Sequence, residues 1–259
     1  MIHEIELMIL FAFIFGLVVG SFLNVCIHRI PLKQSIVRPS SACPNCGHKI
    51  RFYDNIPLLS YLILLGRCRY CGQRISVQYF LVELITGLLS AALITRFGLG
   101  YNYLALFAFT SALVVITFID LKHQLIPDVI SIPGIILGFL ASVFILPITW
   151  VDSLIGILVG GGCFYLIAIF FEKIKKREGM GGGDIKLLAM IGAWLGWPGL
   201  PFIILISSLT GLLLGGGSLL LSRRGFQDRI PFGPFLALGA LIYLFFGKEI
   251  VSSYFRLML

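Results

Sequence analysis

Residues 102–128 read NYLALFAFTSALVVITFIDLKHQLIPD. Eighteen residues, 102–119, carry no charge, and the run then closes on a carboxylate, Asp120. A bilayer-spanning helix needs about 20 predominantly apolar residues, so this stretch predicts a transmembrane helix that ends at Asp120. An acidic side chain within such a helix costs about 2.5–3.5 kcal/mol on insertion scales, and the chain holds only twelve acidic residues. A negative charge at a helix C-terminus is further disfavoured by the helix dipole. Asp120 therefore calls for a functional reason.

The remaining sequence extends the pattern. The 259 residues are 58% hydrophobic and 12% charged, with a mean hydropathy of +1.00. Soluble domains carry roughly 25% charged residues. Apolar runs at 8–27, 79–95, 102–119, 129–148, 153–171, 185–199, 200–221 and 232–255 predict an all-α polytopic membrane protein of about eight spans. Glu4 and Glu6 stand where a signal peptide would be basic, so the first run is expected to be a retained helix.

Charge sets the expected orientation. Seventeen of the twenty Lys and Arg fall in 28–78, 172–186 and 222–230 or at Lys122, leaving only Arg96, Lys248 and Arg256 on the other side. Basic residues accumulate in cytoplasmic loops, which places the 28–78 loop in the cytoplasm and both termini outside. The net charge of +8 is then topology and attraction to lipid headgroups, and nucleic acid is not an expected partner.

Three parts are expected: a first transmembrane helix (1–27), a cytoplasmic loop domain (28–78) and a transmembrane core (79–259). The loop is short for an independent core, and chains of that size usually need a metal or disulfides. It contains Cys43-Pro44-Asn45-Cys46 and Cys68-Arg69-Tyr70-Cys71, each followed by glycine. Two Cys-x-x-Cys pairs 21 residues apart approach the tetra-cysteine zinc spacing. Paired disulfides are the alternative, and a reducing cytosol disfavours them. Four thiolates form a closed tetrahedral shell, so the metal would be structural.

A second carboxylate, Asp184, follows Gly181-Gly182-Gly183 and opens the run from Ile185. It can be a helix cap, but three preceding glycines point to a close backbone approach. Asp128, after Pro127, has a sufficient explanation as a helix start. Lys186 reads as an interfacial lysine or as a partner for a carboxylate. By the topology above, Asp120 and Asp184 face the same leaflet. Two adjacent carboxylates share a proton; the charged one can draw a proton from water while the other donates to a carbonyl oxygen. An aspartic hydrolase, an ion-translocating pair and a Mg²⁺ chelate all fit the residues alone.

The stretch Glu178 to Leu188 resembles the GxGD loop of the type IV prepilin peptidases, or leader peptidase/N-methyltransferases. Gly16–Val25, His28–Pro31, the two cysteine pairs, Asn55–Tyr61, Asp120–Asp128 and Ile230–Phe235 resemble further motifs of that family, in order, over roughly 10–245. The resemblance implies that Asp120 and Asp184 are the catalytic aspartates of an intramembrane aspartic protease and that Gly181 and Gly183 are its loop glycines. It implies Zn²⁺ at Cys43, Cys46, Cys68 and Cys71. The implied substrates are type IV prepilins and type II secretion pseudopilins, cut on the cytoplasmic side of the bacterial inner membrane and then N-methylated from S-adenosylmethionine. No Gly-x-Gly-x-x-Gly turn marks a nucleotide-type fold, so the methyl donor would sit among membrane helices and the loop. Glu83, Asn24, His28 and Arg29 are the candidates. A proton-coupled transporter using the same aspartates is the rival reading, disfavoured by the cysteine loop and by the absence of paired half-repeats.

Overall fold

The computed structural model describes residues 2–175, 181–215 and 231–258. Nine α-helices are seen among them, and no strand: α1 (Ile2–Arg29), α2 (Leu59–Ile63), α3 (Val77–Phe97), α4 (Tyr101–His123), α5 (Asp128–Phe144), α6 (Trp150–Lys175), α7 (Gly182–Leu195), α8 (Leu200–Thr210) and α9 (Gly233–Met258). Except for α2, each falls on one of the eight predicted apolar runs. Among the described residues, five segments are long and apolar enough to cross a membrane: His3–Arg29, Val77–Phe97, Tyr101–His123, Trp150–Phe170 and Trp197–Leu214. Shorter apolar helices lie at Asp128–Phe144 and Gly233–Gly247. The sixth run, 185–199, becomes α7, of 14 residues, about 21 Å long. Within 200–221, α8 gives way to one π-helical turn at Gly211–Gly215; residues 216–221 lie outside the described residues.

The chain forms two compact units, Met1–Val115 and Ile116–Leu259. In the first, α1 and α3 run antiparallel, with Ala12 meeting Ser90 and Asn24 meeting Tyr79. Small residues set their separation: an added Cβ at Gly16 would lie 2.7 Å from the Thr86 carbonyl, and one at Gly20 2.8 Å from Glu83 Cα. Such close backbone approach is how membrane helices associate where lipid is as apolar as leucine. Ser90 ties the helices further, meeting both the Ala12 carbonyl and the Tyr103 hydroxyl.

The second unit is organised around α7. Leu187 through Leu195 are all buried, as expected of a helix apolar on every side and surrounded by others. It packs against α5 and α6. Against α6 the contact is backbone on backbone: an added Cβ at Gly156 would run into the Gly192 carbonyl, and the reverse. Gly160 similarly faces the Leu188 carbonyl, so that part of the Gly160–Gly162 run serves close packing, as its small residues suggest. Against α5, Trp194 Nε1 donates to the Gly134 carbonyl (2.8 Å).

Candidate active site

Asp120 lies one turn before the end of α4 and is buried. Its Oδ2 accepts a hydrogen bond from the Gly233 N–H (3.0 Å), at the start of α9. An added Cβ at Gly233 would lie 2.6 Å from that oxygen, so only glycine lets the backbone come this close. The same Cβ would sit 3.4 Å from Ile126 Cδ1. Ile126, buried in the short link from α4 to α5, is thus one wall of the Asp120 site.

The turn that carries Asp184 also meets Ile126, through Gly183. Asp184 is half-buried in the first turn of α7, where its N–H donates to the Gly181 carbonyl (3.1 Å). An added Cβ at Gly183 would lie 2.8 Å from Ile126 Cβ. Gly181 is extended, and a Cβ there would meet only Asp184 Oδ2, at an ordinary 3.6 Å. Of the expected loop glycines, Gly183 is therefore the one held by close approach. The two carboxylates are near enough for the charge on Asp120 to act on Asp184. A half-buried and a buried carboxylate thus share one neighbourhood, walled by Ile126 and supplied with one backbone donor.

Asp128 begins α5, as expected, and Lys186 takes a carboxylate partner, which is Asp128. Asp128 makes no capping hydrogen bond; both its oxygens accept from Lys186 Nζ (2.7 and 2.8 Å), joining α5 to α7. Gly233 was not singled out as a ligand of Asp120. The Pro231-Phe232-Gly233-Pro234 break before an apolar run was the available signal, and it gives a helix start without its target.

In the first unit, the four cysteines are a cluster whose Sγ atoms all lie within 4.8 Å of one another. The Cys43–Cys71 separation is 3.8 Å, which matches the edge of about 3.8 Å of a tetrahedron with metal–sulfur bonds of about 2.3 Å. Each pair sits in the same small hairpin. Cys43 N–H donates to His48 O and Ile50 N–H to Ser41 O; Cys68 N–H donates to Gln73 O and Ile75 N–H to Gly66 O. Gly47 and Gly72 both take positive φ, at 68° and 69°. The backbone amide of Gln73, then the Asn45 side chain, pull the Cys71 thiol down to about 6, and backbone amides at Cys46 and Asn45 lower Cys43. Cys46 goes the other way: its interaction with the His48 backbone lowers it, but burial and the neighbouring thiols outweigh that and raise it to about 11. Four sulfurs within 4.8 Å of one another fit a metal ion, which binds the thiolate form.

The hairpins are a repeat: residues 41–50 read SACPNCGHKI and 66–75 read GRCRYCGQRI. Only the Cys-x-x-Cys-Gly frame, a basic residue and a closing Ile recur between them.

Asn24 and Glu83 are both buried at the α1–α3 seam. Asn24 Nδ2 donates to the Tyr79 carbonyl (3.0 Å), and its Oδ1 is buried with no hydrogen-bond partner. Glu83 Oε2 accepts from the Leu58 N–H (2.9 Å), and the carboxylate also meets the Ser21 hydroxyl. His28 is exposed at the end of α1. The Arg29 guanidinium donates to the Ser35 and Pro39 carbonyls (2.9 and 2.7 Å) and so shapes the start of the loop.

Two family models match the chain: the bacterial peptidase A24 N-terminal domain over 14–97 and the type IV leader peptidase family over 107–216. Prepilin leader peptidase/N-methyltransferases are similar along almost the full chain. That of Pseudomonas aeruginosa is 41% identical, covering 96% of this chain and 93% of its own. That of Stutzerimonas stutzeri is 40% identical, covering 96% and 94%, and that of Aeromonas hydrophila 40%, covering 93% and 92%. No solved structure matches. The matches take in both units, the cysteine cluster and the segments that carry Asp120 and Asp184: the chain belongs to the type IV leader peptidase family and is a membrane enzyme.

Proposed function

We propose that this enzyme removes the leader peptide from type IV prepilins and type II secretion pseudopilins by an aspartic mechanism, and then N-methylates the new N-terminus. The observation that carries the first half is the meeting of Asp120 and Asp184 around Ile126, within electrostatic reach. With one proton between them, the charged aspartate takes a proton from a water, which attacks the scissile carbonyl carbon. The protonated aspartate donates to the carbonyl oxygen. Gly233 N–H holds one Asp120 oxygen, which leaves the other for water or peptide. Gly183 lets α7 begin against Ile126, and Gly181 precedes it as the exposed loop glycine.

The charge distribution supports a cytoplasmic loop and active site, with both termini on the periplasmic side of the bacterial inner membrane. A prepilin whose apolar segment lies in the bilayer is then cut at the interface, in a peptidase core taken as 79–259 after the first helix and the 28–78 domain. Membrane lipid surrounds it, and nucleic acid has no role. The transporter alternative finds no support in these relatives.

We assign structural Zn²⁺ to Cys43, Cys46, Cys68 and Cys71, where it would fix the two hairpins to each other. S-adenosylmethionine, when bound, supplies a methyl group on a cationic sulfur. The α1–α3 seam suits a cation, because the orphaned Asn24 Oδ1 and the Glu83 carboxylate both lack a charged partner among the described residues. Asn24 and Glu83 are therefore placed nearest the methyl donor, with His28 and Arg29 at the rim.

The test is a purified enzyme with a prepilin substrate, read by mass spectrometry. Asp120→Asn and Asp184→Asn should each lower leader removal by about 10²–10⁴-fold or more; normal cleavage by either variant overturns the dyad. Cleavage that persists without methylation in Glu83→Gln or Asn24→Ala supports the second site, and full methylation by both refutes it.

A further inference from the structure

The ten residues Ile56–Leu65, IPLLSYLILL, carry no charge and lie inside the most basic loop of the chain. They form α2 and its flanks. Their apolar side chains turn outward: Leu59 is 56% exposed, Leu62 57%, Ile63 74% and Leu65 83%. An apolar segment of this length, too short to span, is characteristic of re-entrant or interfacial placement.

The structure supplies its depth. Leu58, immediately before α2, donates its N–H to Glu83 (2.9 Å). Glu83 is six residues past the start of α3, about 9 Å along the helix axis. With 21 residues, α3 is about 31 Å long, the thickness of the hydrocarbon core. The N-terminus of α2 is thereby held some 9 Å inside the boundary at which α3 enters, within the roughly 5–10 Å reached by interfacial helices. Its polar groups are satisfied internally, as a water-poor setting requires. Ser60 Oγ donates to the Tyr53 carbonyl (2.9 Å) and accepts from the Ile56 N–H (3.0 Å), and the Tyr61 hydroxyl donates to the Ile75 carbonyl (3.3 Å).

Charge identifies what covers it. Arg67 and Arg74 face each other across a β-bridge just beyond Leu65, both exposed, with no acidic partner among the described residues. Asp54, the one acidic residue of the 28–78 loop, is already paired with Arg69 (2.6 Å). Like charges opposed in this way repel, and anionic headgroups at the membrane surface relieve that repulsion. We propose that Ile56–Leu65 is a re-entrant anchor that inserts among anionic phospholipids and seats the cysteine hairpins on the headgroup layer through Arg67 and Arg74.

The test uses the full-length enzyme in vesicles of phosphatidylglycerol and phosphatidylcholine, with a fluorescent amino acid introduced genetically at Leu62 or, as a control, at the exposed Val37. Lipids brominated in the upper acyl chain should quench the Leu62 probe at least about twofold more than the Val37 probe, with aqueous iodide giving the reverse order. Equal iodide quenching at both sites overturns the anchor. Shielding of Leu62 that appears only on adding a prepilin peptide also overturns it, in favour of a peptide groove. For the headgroup contacts, native mass spectrometry should find several-fold fewer retained phosphatidylglycerol molecules on Arg67→Glu/Arg74→Glu than on the wild type. Unchanged lipid retention, with metal content unchanged as proof of an intact loop, refutes that half.

Discussion

Ile126 is the residue on which Asp120 and Asp184 are registered, and its neighbours are glycines for steric reasons of different strength. A methyl at Gly183 meets Ile126 Cβ at 2.8 Å, whereas one at Gly181 meets nothing closer than 3.6 Å. Gly183→Ala should therefore destabilise by about 1–3 kcal/mol, the range for overpacking, with loss of leader removal. Ile126→Gly, which removes the clashing Cβ itself, should cost less in the Gly183→Ala background than in the wild type, a coupling that a double-mutant cycle in thermal melting reads directly. Gly181→Ala should shift stability by less than about 0.5 kcal/mol. Sequence gave both carboxylates away, because a charge that ends or opens an apolar run is costly and visible. It could not separate Gly181 from Gly183, since the difference lies in a side chain 57 residues away.

At the level of elements, the cysteine hairpins and the α5–α7 link behave differently. A bound metal would be the strongest tie between the two ten-residue hairpins, which otherwise meet through the Asn45–Cys71 hydrogen bond and the His48–Tyr70 ring contact. One zinc per chain is expected by elemental analysis. Chelation should abolish hydrogen-exchange protection in 41–50 and 66–75 while α1 and α3 keep theirs. The Lys186–Asp128 bridge is partly exposed on both sides, 41% and 56%, and such pairs contribute about 0–1 kcal/mol. Asp128→Asn should cost no more than that, and the cost should shrink in high salt. Pro127-Asp128 opens α5, as the sequence suggests, but the partner of the carboxylate comes from another helix and leaves no local signal. The zinc spacing was legible from four letters, yet the hairpin repeat around it was not, because backbone hydrogen bonds leave little trace in side-chain identity.

For the molecule as a whole, each of the eight apolar runs holds a helix, since hydropathy over such lengths has few alternative readings, but the ends were less legible: α1 begins six residues before its run and α8 ends at Thr210 inside 200–221. Orientation rests on the same kind of bulk signal. Proteolysis of inside-out vesicles should cut within 28–78, and intact right-side-out spheroplasts should protect it. What hydropathy cannot report is how rigidly each helix is set. The backbone contact of Gly156 with Gly192 places a mechanical stop eight residues beyond Asp184, with no side chain between the helices to compress or swing aside. Asp184 rides on the first turn of that helix. Gly156→Ala, which drives a methyl into the Gly192 carbonyl, should therefore displace Asp184 and lower leader removal although neither carboxylate is touched, an effect that a cleavage assay reads.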